Sequence, residues 1–363
     1  MKKNLFLLSL IVFAIAFHGS YAQKKTVVNI QDNQFYINGE LTYKGRSWQG
    51  NKIEGLLFNS RMVQGIFDDE NPETRKQFVY PDTKKWNPNR NTKEFIAAMK
   101  DWYAHGLLAF TLNLQGGSPI GYGNKNWRNS AFNENGELKK DYFKRLDKIL
   151  KAADNLGMVV ILGYFYFGQD QFLTDEKAII NAVDKTTEWL INKGYRNILI
   201  EVNNECNVKK YDHEILKADR IHELIIRVRE KKARDGYRLP VSTSYGGGAI
   251  PQSNVVKVSD FLLIHGNGVK DPVRITEMVE KTKAVEGYLG QPILFNEDDH
   301  YDFEKENNNM VAATKAYASW GYFDFRRDNE SFEEGFQSVP VDWTISSKRK
   351  KAFFDKVKEI TGK

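Results

Sequence analysis

Short apolar segments alternate with amphipathic segments along most of the chain. Each apolar segment is bounded by Gly, Pro, Asn or Asp and lacks a strict alternation of polar and apolar positions. This pattern is typical of parallel strands that are buried on both faces. It predicts eight strands, over residues 55–66, 106–113, 158–164, 197–203, 240–244, 260–265, 292–295 and 318–323.

The amphipathic segments between these strands are predicted to be helices. Four of them, over residues 92–103, 141–156, 177–193 and 219–235, lead into a glycine just before the next strand. Glycine often ends a helix because it adopts the left-handed conformation without strain. Eight parallel strands, each followed by a helix, close into a barrel. The predicted fold class is therefore α/β, a (β/α)8 TIM barrel.

An open, doubly wound parallel sheet is the alternative architecture for such an alternation of strands and helices. That fold commonly carries a glycine-rich dinucleotide fingerprint directly after an early strand. The glycine cluster Gly246-Gly247-Gly248 comes late in the chain and lacks the spacing of that fingerprint. The barrel is accordingly favoured.

A short β-hairpin is predicted ahead of the first barrel strand, over residues 34–44. Asn38-Gly39 lies at its centre, flanked by alternating apolar residues. Asn-Gly is the strongest two-residue signal for a hairpin turn. We expect this hairpin to cover the N-terminal end of the barrel, within one catalytic domain spanning residues 23–363.

The first 22 residues have the pattern of a secretory signal peptide. A basic start, Lys2-Lys3, precedes an apolar run over residues 5–17, and small residues precede a cleavage point before Gln23. The run is too short to span a bilayer comfortably. No later stretch is long and apolar enough for a membrane helix, so we expect a secreted or periplasmic protein without membrane insertion.

The composition further narrows the classes of protein to which this chain could belong. Hydrophobic residues make up 41% of the 363 residues, which is enough to bury a core, and the single cysteine, Cys206, excludes an intramolecular disulfide framework. The net charge of +6 falls to +4 without Lys2 and Lys3, and it is spread along the chain. Such a balance does not indicate nucleic acid as a partner. The oligomeric state is left open.

Two carboxylates follow strands at positions where a barrel carries its chemistry. Glu205 comes directly after strand four, in Asn203-Asn204-Glu205, and Glu297 comes at the end of strand seven. In (β/α)8 barrels the active site lies at the C-terminal ends of the strands. Strands four and seven lie across the mouth from each other, and a facing pair of carboxyl groups is what glycoside hydrolysis requires.

This pair resembles the catalytic residues of the clan A glycoside hydrolases, (β/α)8 enzymes that include cellulases, mannanases and β-galactosidases. The resemblance implies a retaining, double-displacement hydrolase with Glu205 as general acid/base and Glu297 as nucleophile. It further implies that Asn204 hydrogen-bonds the sugar 2-hydroxyl. No cofactor and no metal are implied, and the expected partner is a poly- or oligosaccharide.

The chain departs from the cellulase-like members at two positions that support the nucleophile. Those relatives carry an arginine near the end of strand two, where this chain has residues 110–116 without one. Their strand-six motif resembles His-x-Tyr, where this chain has His265-Gly266-Asn267. We expect Asn113, Gln115 and His265 to take over this support. Glu201 lies inside strand four and is expected to form a structural salt bridge.

Aromatic residues are frequent at the strand ends, where sugar rings could stack on them. Tyr166 and Trp320 are the candidates for sugar-binding platforms, and Tyr245 follows strand five. Packing in the core is the alternative role, because barrels also use aromatic residues there. The long insertion over residues 68–91 is expected to shape the mouth of the barrel.

Charged residues near the mouth leave further alternatives open. Arg61 and the pair Arg326-Arg327 could bind a carboxylate or sulfate of an acidic glycan, or could form structural ion pairs. Asp298, Asp299 and His300 could suggest a metal site, but adjacent ligands on one loop are more typical of a solvated turn.

Two other functions remain compatible with the sequence. A non-catalytic carbohydrate-binding barrel would keep the aromatic groove, although the presence of both carboxylates favours an enzyme. A polysaccharide lyase acting on uronic acids would instead depend on Tyr245, His265 and Arg326.

Overall fold

The computed structural model describes residues 25–122 and 126–363. The predicted signal peptide, residues 1–22, lies outside the described residues. Within the part of the chain that the structure describes, none of the helices combines the length and the apolar composition that a membrane crossing requires.

Eight parallel strands form a closed ring, as the sequence predicted. The strands, numbered 1 to 8 below, are Asn59–Arg61, Ala109–Asn113, Val159–Phe165, Ile198–Asn203, Val241–Ser242, Leu262–His265, Ile293–Glu297 and Gly321–Tyr322. Strand 8 pairs with strand 1, and strands 1 to 5 pair in chain order. Strands 6 and 7 pair with each other, one isolated bridge joins strand 5 to strand 6, and two join strand 7 to strand 8. The (β/α)8 barrel is therefore confirmed.

The helices follow the strands around the outside of the barrel. They are α1 Pro88–Ala104, α2 Lys140–Leu156, α3 Glu176–Lys193, α4 Ile221–Glu230, α5 Ser253–Val256, α6 Pro272–Lys283, α7 Asn309–Lys315 and α8 Lys348–Thr361. Short 3-10 turns lie at Val63–Gly65, Arg75–Gln77, Asp170–Phe172 and Glu214–Leu216. Because both faces of strands 2, 3 and 4 are covered, every residue in these three strands is buried.

Three of the four predicted helices that lead into a glycine agree with the structure. Gly157 and Gly194 cap α2 and α3 in the left-handed conformation, and Gly106 follows the end of α1. The fourth is wrong at its C-terminal end, because α4 stops at Glu230. A turn closed by hydrogen bonds among residues 233–237 replaces the predicted last helical residues, and Gly236 lies in that turn.

The predicted hairpin is part of a three-stranded antiparallel sheet made of Val28–Gln31, Gln34–Ile37 and Glu40–Leu41. Asn38 and Gly39 both have positive φ angles, as a tight hairpin turn requires. The Val28 amide donates to the carbonyl of Arg196, just before strand 4. The sheet therefore lies at the N-terminal end of the barrel, as expected. A two-stranded ribbon, Ser47–Trp48 with Asn51–Lys52, follows it.

The insertion between strand 1 and α1 packs against itself, against the loop after strand 8 and against the segment between strand 2 and α2. Phe67, Phe78 and Val339 form a small apolar cluster with Trp86 packed against it. Tyr80 stacks on Trp86 with ring centroids 5.5 Å apart. These aromatic side chains stabilise the insertion beside the barrel mouth.

Candidate active site

Glu205 follows strand 4 in an uncommon backbone conformation. Its φ angle is +54°, in the left-handed region that is costly for most residues other than glycine. Its amide donates a hydrogen bond of 2.9 Å to the Ser244 hydroxyl on the neighbouring strand end. This contact fixes the turn that directs the Glu205 carboxylate over the mouth of the barrel.

Glu297 and His265 lie side by side at the ends of strands 7 and 6. A register irregularity after Ile264 pairs His265 with Glu297. Nδ1 of His265 lies 3.0 Å from Oε1 of Glu205 and 3.7 Å from Oε2 of Glu297. One oxygen of each carboxylate and one imidazole nitrogen lie within 4.8 Å of one another. The structure thus brings together three of the residues that the sequence singled out.

Arg61 connects strand 1 to both sides of this cluster. Its Nε lies 2.6 Å from Oε2 of Glu297, and its Nη2 donates a hydrogen bond of 2.7 Å to Oδ1 of Asn204. Its Nη1 lies 4.0 Å from Glu201, which is wholly buried in strand 4 and forms the expected salt bridge. Arg61, on strand 1, therefore supports Glu297 in this chain, which has no arginine near the end of strand 2.

Asn267 is a residue of the site whose role the sequence alone did not indicate. Its amide donates a hydrogen bond of 2.5 Å to Oε1 of Glu297. It is the third residue of His265-Gly266-Asn267, so it stands where the resemblance places a tyrosine. That correspondence was the signal that could have identified it.

The side chains of Glu205, His265 and Glu297 shift one another's pKa values. Burial acts to lower the pKa of His265, but the charges of Glu297 and Glu205 outweigh it and raise that pKa. Burial acts to raise the pKa of Glu205, but His265 and Arg61 outweigh it, and the pKa lies below its ordinary value. Burial raises the pKa of Glu297 against the opposing charges of Arg61 and His265. The lowered pKa of Glu205 and the raised pKa of His265 favour an ion pair between the two side chains.

A cavity of about 420 Å³ opens above the two carboxylates. Its walls come from the loops after strands 2, 3 and 4 and are rich in aromatic and amide side chains. Besides Glu205 and Glu297, the lining residues are Ser118, Tyr122, Asn126, Trp127, Tyr166, Phe167, Gly168, Gln169, Gln171, Phe172 and Lys210. A larger cavity, of about 780 Å³, lies between the N-terminal sheet and residues 361–363, at the other end of the barrel.

Tyr166 lines the cavity above the two carboxylates, but Trp320 and Tyr245, the other two predicted aromatic residues, do not. Trp320 is wholly buried, donates from Nε1 to Asp298 at 2.9 Å, and packs on Phe353 of α8. Tyr245 is also buried, beside the thiol of Cys206, whose own pKa is raised by burial. The expectation that Trp320 and Tyr245 bind sugar is therefore corrected, because neither ring faces the cavity.

Asn113 and Gln115 lie beneath the site and do not contact Glu297. Gln115 is wholly buried, and its Oε1 accepts a hydrogen bond from the amide of Tyr166 at 3.2 Å. Asn113 is buried inside the barrel next to Gly163, where an added Cβ would approach its Oδ1 to 2.3 Å. The expected support of the nucleophile by these two residues is corrected to Arg61 and Asn267, and Gln115 positions Tyr166.

Two groups of side chains lie close enough to suggest metal ligands. In Asp298-Asp299-His300, Asp298 already accepts hydrogen bonds from His300, Trp320 and Asn309. Asp298 is wholly buried, so the expected solvated turn is a buried hydrogen-bond network instead. Beside the other group, formed by Glu205, His265 and Glu297, the Arg61 guanidinium already supplies a positive charge at 2.6 Å from Glu297. Neither arrangement favours a metal ion.

The arginines suggested for an acidic glycan are engaged within the protein. Arg61 pairs with Glu297 and Glu201, and Arg327 pairs with Glu330. The Arg326 guanidinium donates to backbone carbonyl groups. The structure therefore does not assemble Tyr245, His265 and Arg326 into the site that a lyase would need.

Comparisons with known proteins extend the picture of the fold. The sequence matches no protein-family model and no curated protein. Solved structures do resemble it: a GH5-4 broad specificity endoglucanase from Bacteroides salanitronis is 13% identical with a TM-score of 0.53, covering 84% of this chain and 93% of its own. A β-mannanase from the blue mussel Mytilus edulis is 10% identical with a TM-score of 0.53, covering 94% and 97%.

A glycoside hydrolase family 5 mannosidase from Rhizomucor miehei is similar to the same degree. It is 13% identical with a TM-score of 0.52, and the alignment covers 92% of this chain and 97% of that one. At these identities the likeness is one of fold. It confirms that the chain has the barrel fold of these glycoside hydrolases.

Proposed function

We propose that this protein is a retaining glycoside hydrolase. The observation that carries the proposal is the Glu205–Glu297 pair at one cavity, with one oxygen of each carboxylate within 4.8 Å of the other. Retaining glycosidases place their two carboxyl groups about 5 Å apart, whereas inverting enzymes need a wider gap for water. A non-catalytic binding barrel would not require this spacing.

The geometry supports one assignment of the two catalytic roles. Glu297 is buried, and each of its oxygens has a fixed partner, Arg61 on one and Asn267 on the other. Such support suits a carboxylate that attacks the anomeric carbon. Glu205 has the more exposed side chain, 15% against 7% for Glu297, so it can reach both the leaving oxygen and water. We therefore assign Glu297 as nucleophile and Glu205 as acid/base, with Asn204 held by Arg61 beside the sugar 2-hydroxyl.

The source of the catalytic proton differs from what the sequence suggested. Repulsion from a neighbouring carboxylate ordinarily raises the pKa of an acid/base, but the contact with His265 outweighs burial and lowers the pKa of Glu205 in the free site. We propose that His265 and Glu205 share this proton across the 3.0 Å between Nδ1 and Oε1 before substrate binds. As Glu297 attacks carbon and the glycosidic bond breaks, this proton moves through Glu205 to the leaving oxygen. Water then attacks the glycosyl ester, and its proton returns to Glu205 and His265.

The proposed substrate is a poly- or oligosaccharide. Aromatic rings suit the flat faces of sugars, and Trp127, Tyr166 and Phe167 line the cavity together with the amides of Gln169 and Gln171. The similar solved structures are described as an endoglucanase, a mannanase and a mannosidase, so β-glucans and mannans are the first glycans to test. Lys210 is a cation in the described lining that could favour an acidic sugar.

We also propose that the chain is exported to the periplasm or the medium. The support is the signal-peptide pattern of residues 1–22. Expression of the full chain, followed by mass measurement of the protein in each cell fraction, tests this. A protein in the medium or periplasm that begins at Gln23 is expected, and an uncut chain retained inside the cell would contradict it.

A screen of aryl glycosides and polysaccharides, following new reducing ends, tests the proposed reaction. Wild type should release sugar, and Glu297→Ala should not. Glu205→Ala should lose activity on polysaccharides, and azide should restore part of its activity on aryl glycosides by replacing the activated water. Rescue of Glu297→Ala but not Glu205→Ala would reverse the two roles. Inactivity of wild type together with glycan binding in calorimetry would favour the binding-protein alternative.

A further inference from the structure

A strap, defined as residues 116–122, crosses the mouth of the barrel from the loop after strand 2. The Gly117 carbonyl accepts a hydrogen bond from Gln64 after strand 1, at 2.7 Å. The Ser118 carbonyl accepts one from Gln337, in the segment after strand 8, at 2.9 Å. The strap therefore lies over the end of strand 1 and is fixed on both sides.

Tyr122, at the end of the strap, joins it to the strand that carries the nucleophile. Its hydroxyl donates a hydrogen bond of 3.1 Å to Oδ2 of Asp299, two residues after Glu297. The other oxygen of Asp299 accepts from the Gly268 amide, after strand 6, at 3.1 Å. The loops after strands 2, 6 and 7 are thereby linked at one side of the mouth.

Aromatic packing fills the space behind this link. The Tyr122 ring lies edge-on to Phe323, with centroids 5.6 Å apart, and to Phe325, with centroids 5.2 Å apart. Tyr122 still exposes 58% of its surface, and it lines the same cavity as Glu205 and Glu297. The wall beside Glu297 is thus continuous from the loop after strand 8 to the loop after strand 6.

The part of the cavity beside Glu205 includes Lys210 among its lining residues. Lys210, from the loop after strand 4, is exposed, and its ammonium lies 5.5 Å from the centre of the Phe167 ring. This loop begins at Glu205, the proposed acid/base. An exposed side chain therefore borders the cavity beside the proposed acid/base, whereas the loops linked through Asp299 border it beside the nucleophile.

We propose that the enzyme acts at the non-reducing ends of glycan chains, because the wall formed by Tyr122 and Asp299 closes the cavity on the glycone side. The nucleophile bonds to the anomeric carbon of the glycone sugar, so a wall next to Glu297 leaves no path for further sugars on that side. The leaving part of the chain extends past Glu205 and Lys210. This inference rests on the proposed function and adds the mode of attack.

A matched pair of substrates tests the proposal. Both are aryl oligosaccharides of the sugar found in the screen, and one carries a cyclic acetal on its non-reducing terminal sugar. Wild type should cleave the free substrate and should cleave the capped one slower by about a hundredfold or more. Tyr122→Ala opens the wall and should increase cleavage of the capped substrate by about tenfold or more.

Two further variants distinguish the effect of opening the wall from the effect of any substitution in the strap. Tyr122→Phe keeps the ring and loses only the bond to Asp299, so its gain on the capped substrate should be smaller. Ile120→Ala alters an exposed neighbour on the strap, outside the cavity lining, and should behave like wild type. Thermal unfolding of each variant checks that it is folded.

The outcomes distinguish this inference from the function on which it rests. Equal cleavage of capped and free substrates by wild type overturns end-specific action and leaves the glycosidase assignment intact. Rejection of the capped substrate by both wild type and a folded Tyr122→Ala overturns the wall as its cause. Cleavage of neither substrate, nor of any glycan in the screen, overturns the proposed function itself.

Discussion

Arg61 Nε lies 2.6 Å from Oε2 of Glu297, and both side chains are buried at the mouth of the barrel. Through the same guanidinium, strand 1 also holds Asn204 and approaches Glu201 in strand 4. One side chain therefore sets the positions of the proposed nucleophile and of the sugar-binding amide. It also balances carboxylates that would otherwise repel each other.

Replacement of Arg61 by Met should damage activity and stability together. Loss of the charge leaves Glu297 and Glu201 buried without their cation, which should cost about 3 kcal/mol of unfolding free energy. The kcat should fall by about a hundredfold or more. Urea unfolding and steady-state kinetics measure the two effects. Arg90→Met is the control, because Arg90 pairs with exposed Asp82 and its loss should change neither quantity much.

Asn267 should affect kcat more than KM, because its hydrogen bond is to the nucleophile. Asn267→Ala removes that donor and should lower kcat by about tenfold or more. Asn267→Asp places a second negative charge beside Glu297 and should raise its pKa further. The acid limb of the kcat/KM profile should then move to higher pH. If the acid limb of kcat/KM stayed at the same pH in Asn267→Asp, the contact between residue 267 and Glu297 would be contradicted.

His265 should make the stability of the protein depend on pH. Its folded pKa is raised above the ordinary value of 6.5. Its contribution is therefore fully present below about pH 6.5 and is lost as pH rises through the folded pKa. Urea unfolding of wild type and His265→Gln should show the larger difference at pH 5.5 and a smaller one at pH 9, at about 25 °C in each case. A difference that grows with pH would exclude a protonated His265.

Lys350 in α8 should have the opposite dependence. Its buried amine donates to the Asp342 carbonyl and lies 4.3 Å from the centre of the Phe336 ring. Burial lowers its pKa from 10.5 to about 8. The folded state therefore releases this proton first, so stability should rise by about 3 kcal/mol between pH 8 and 10.5 relative to Lys350→Met. If the unfolding free energies of wild type and Lys350→Met changed equally with pH, this prediction would be contradicted.

The sequence predicted the barrel and the two carboxylates for physical reasons. Strands buried on both faces leave continuous apolar runs, and eight such runs that alternate with helices close into a barrel. Glu205 and Glu297 each follow such a run directly, so the barrel fixes their side of the molecule. His265 was found by the same rule.

Contacts between strands that are distant in the chain leave no local pattern in the sequence from which they could be predicted. Arg61 meets Glu297 across 236 residues, and no local pattern marks that pairing. Trp320 was misplaced because strand 8 is apolar on both faces, so its pattern does not show which residues face the barrel axis. Trp320 and Tyr322 share one face, and both pack on Phe353 of α8. Tyr122 lies in a segment of glycine and proline that resembles an ordinary loop.

The central claim is that Glu297 forms the covalent bond to sugar. An aryl 2-deoxy-2-fluoro glycoside of the sugar identified in the screen should trap the glycosyl ester, since the fluorine slows its hydrolysis more than its formation. Peptide mass spectrometry then locates the added sugar. The account predicts that it lies on Glu297 and is absent from Glu297→Gln. A sugar attached to Glu205, or active enzyme that never accumulates an adduct, would contradict it.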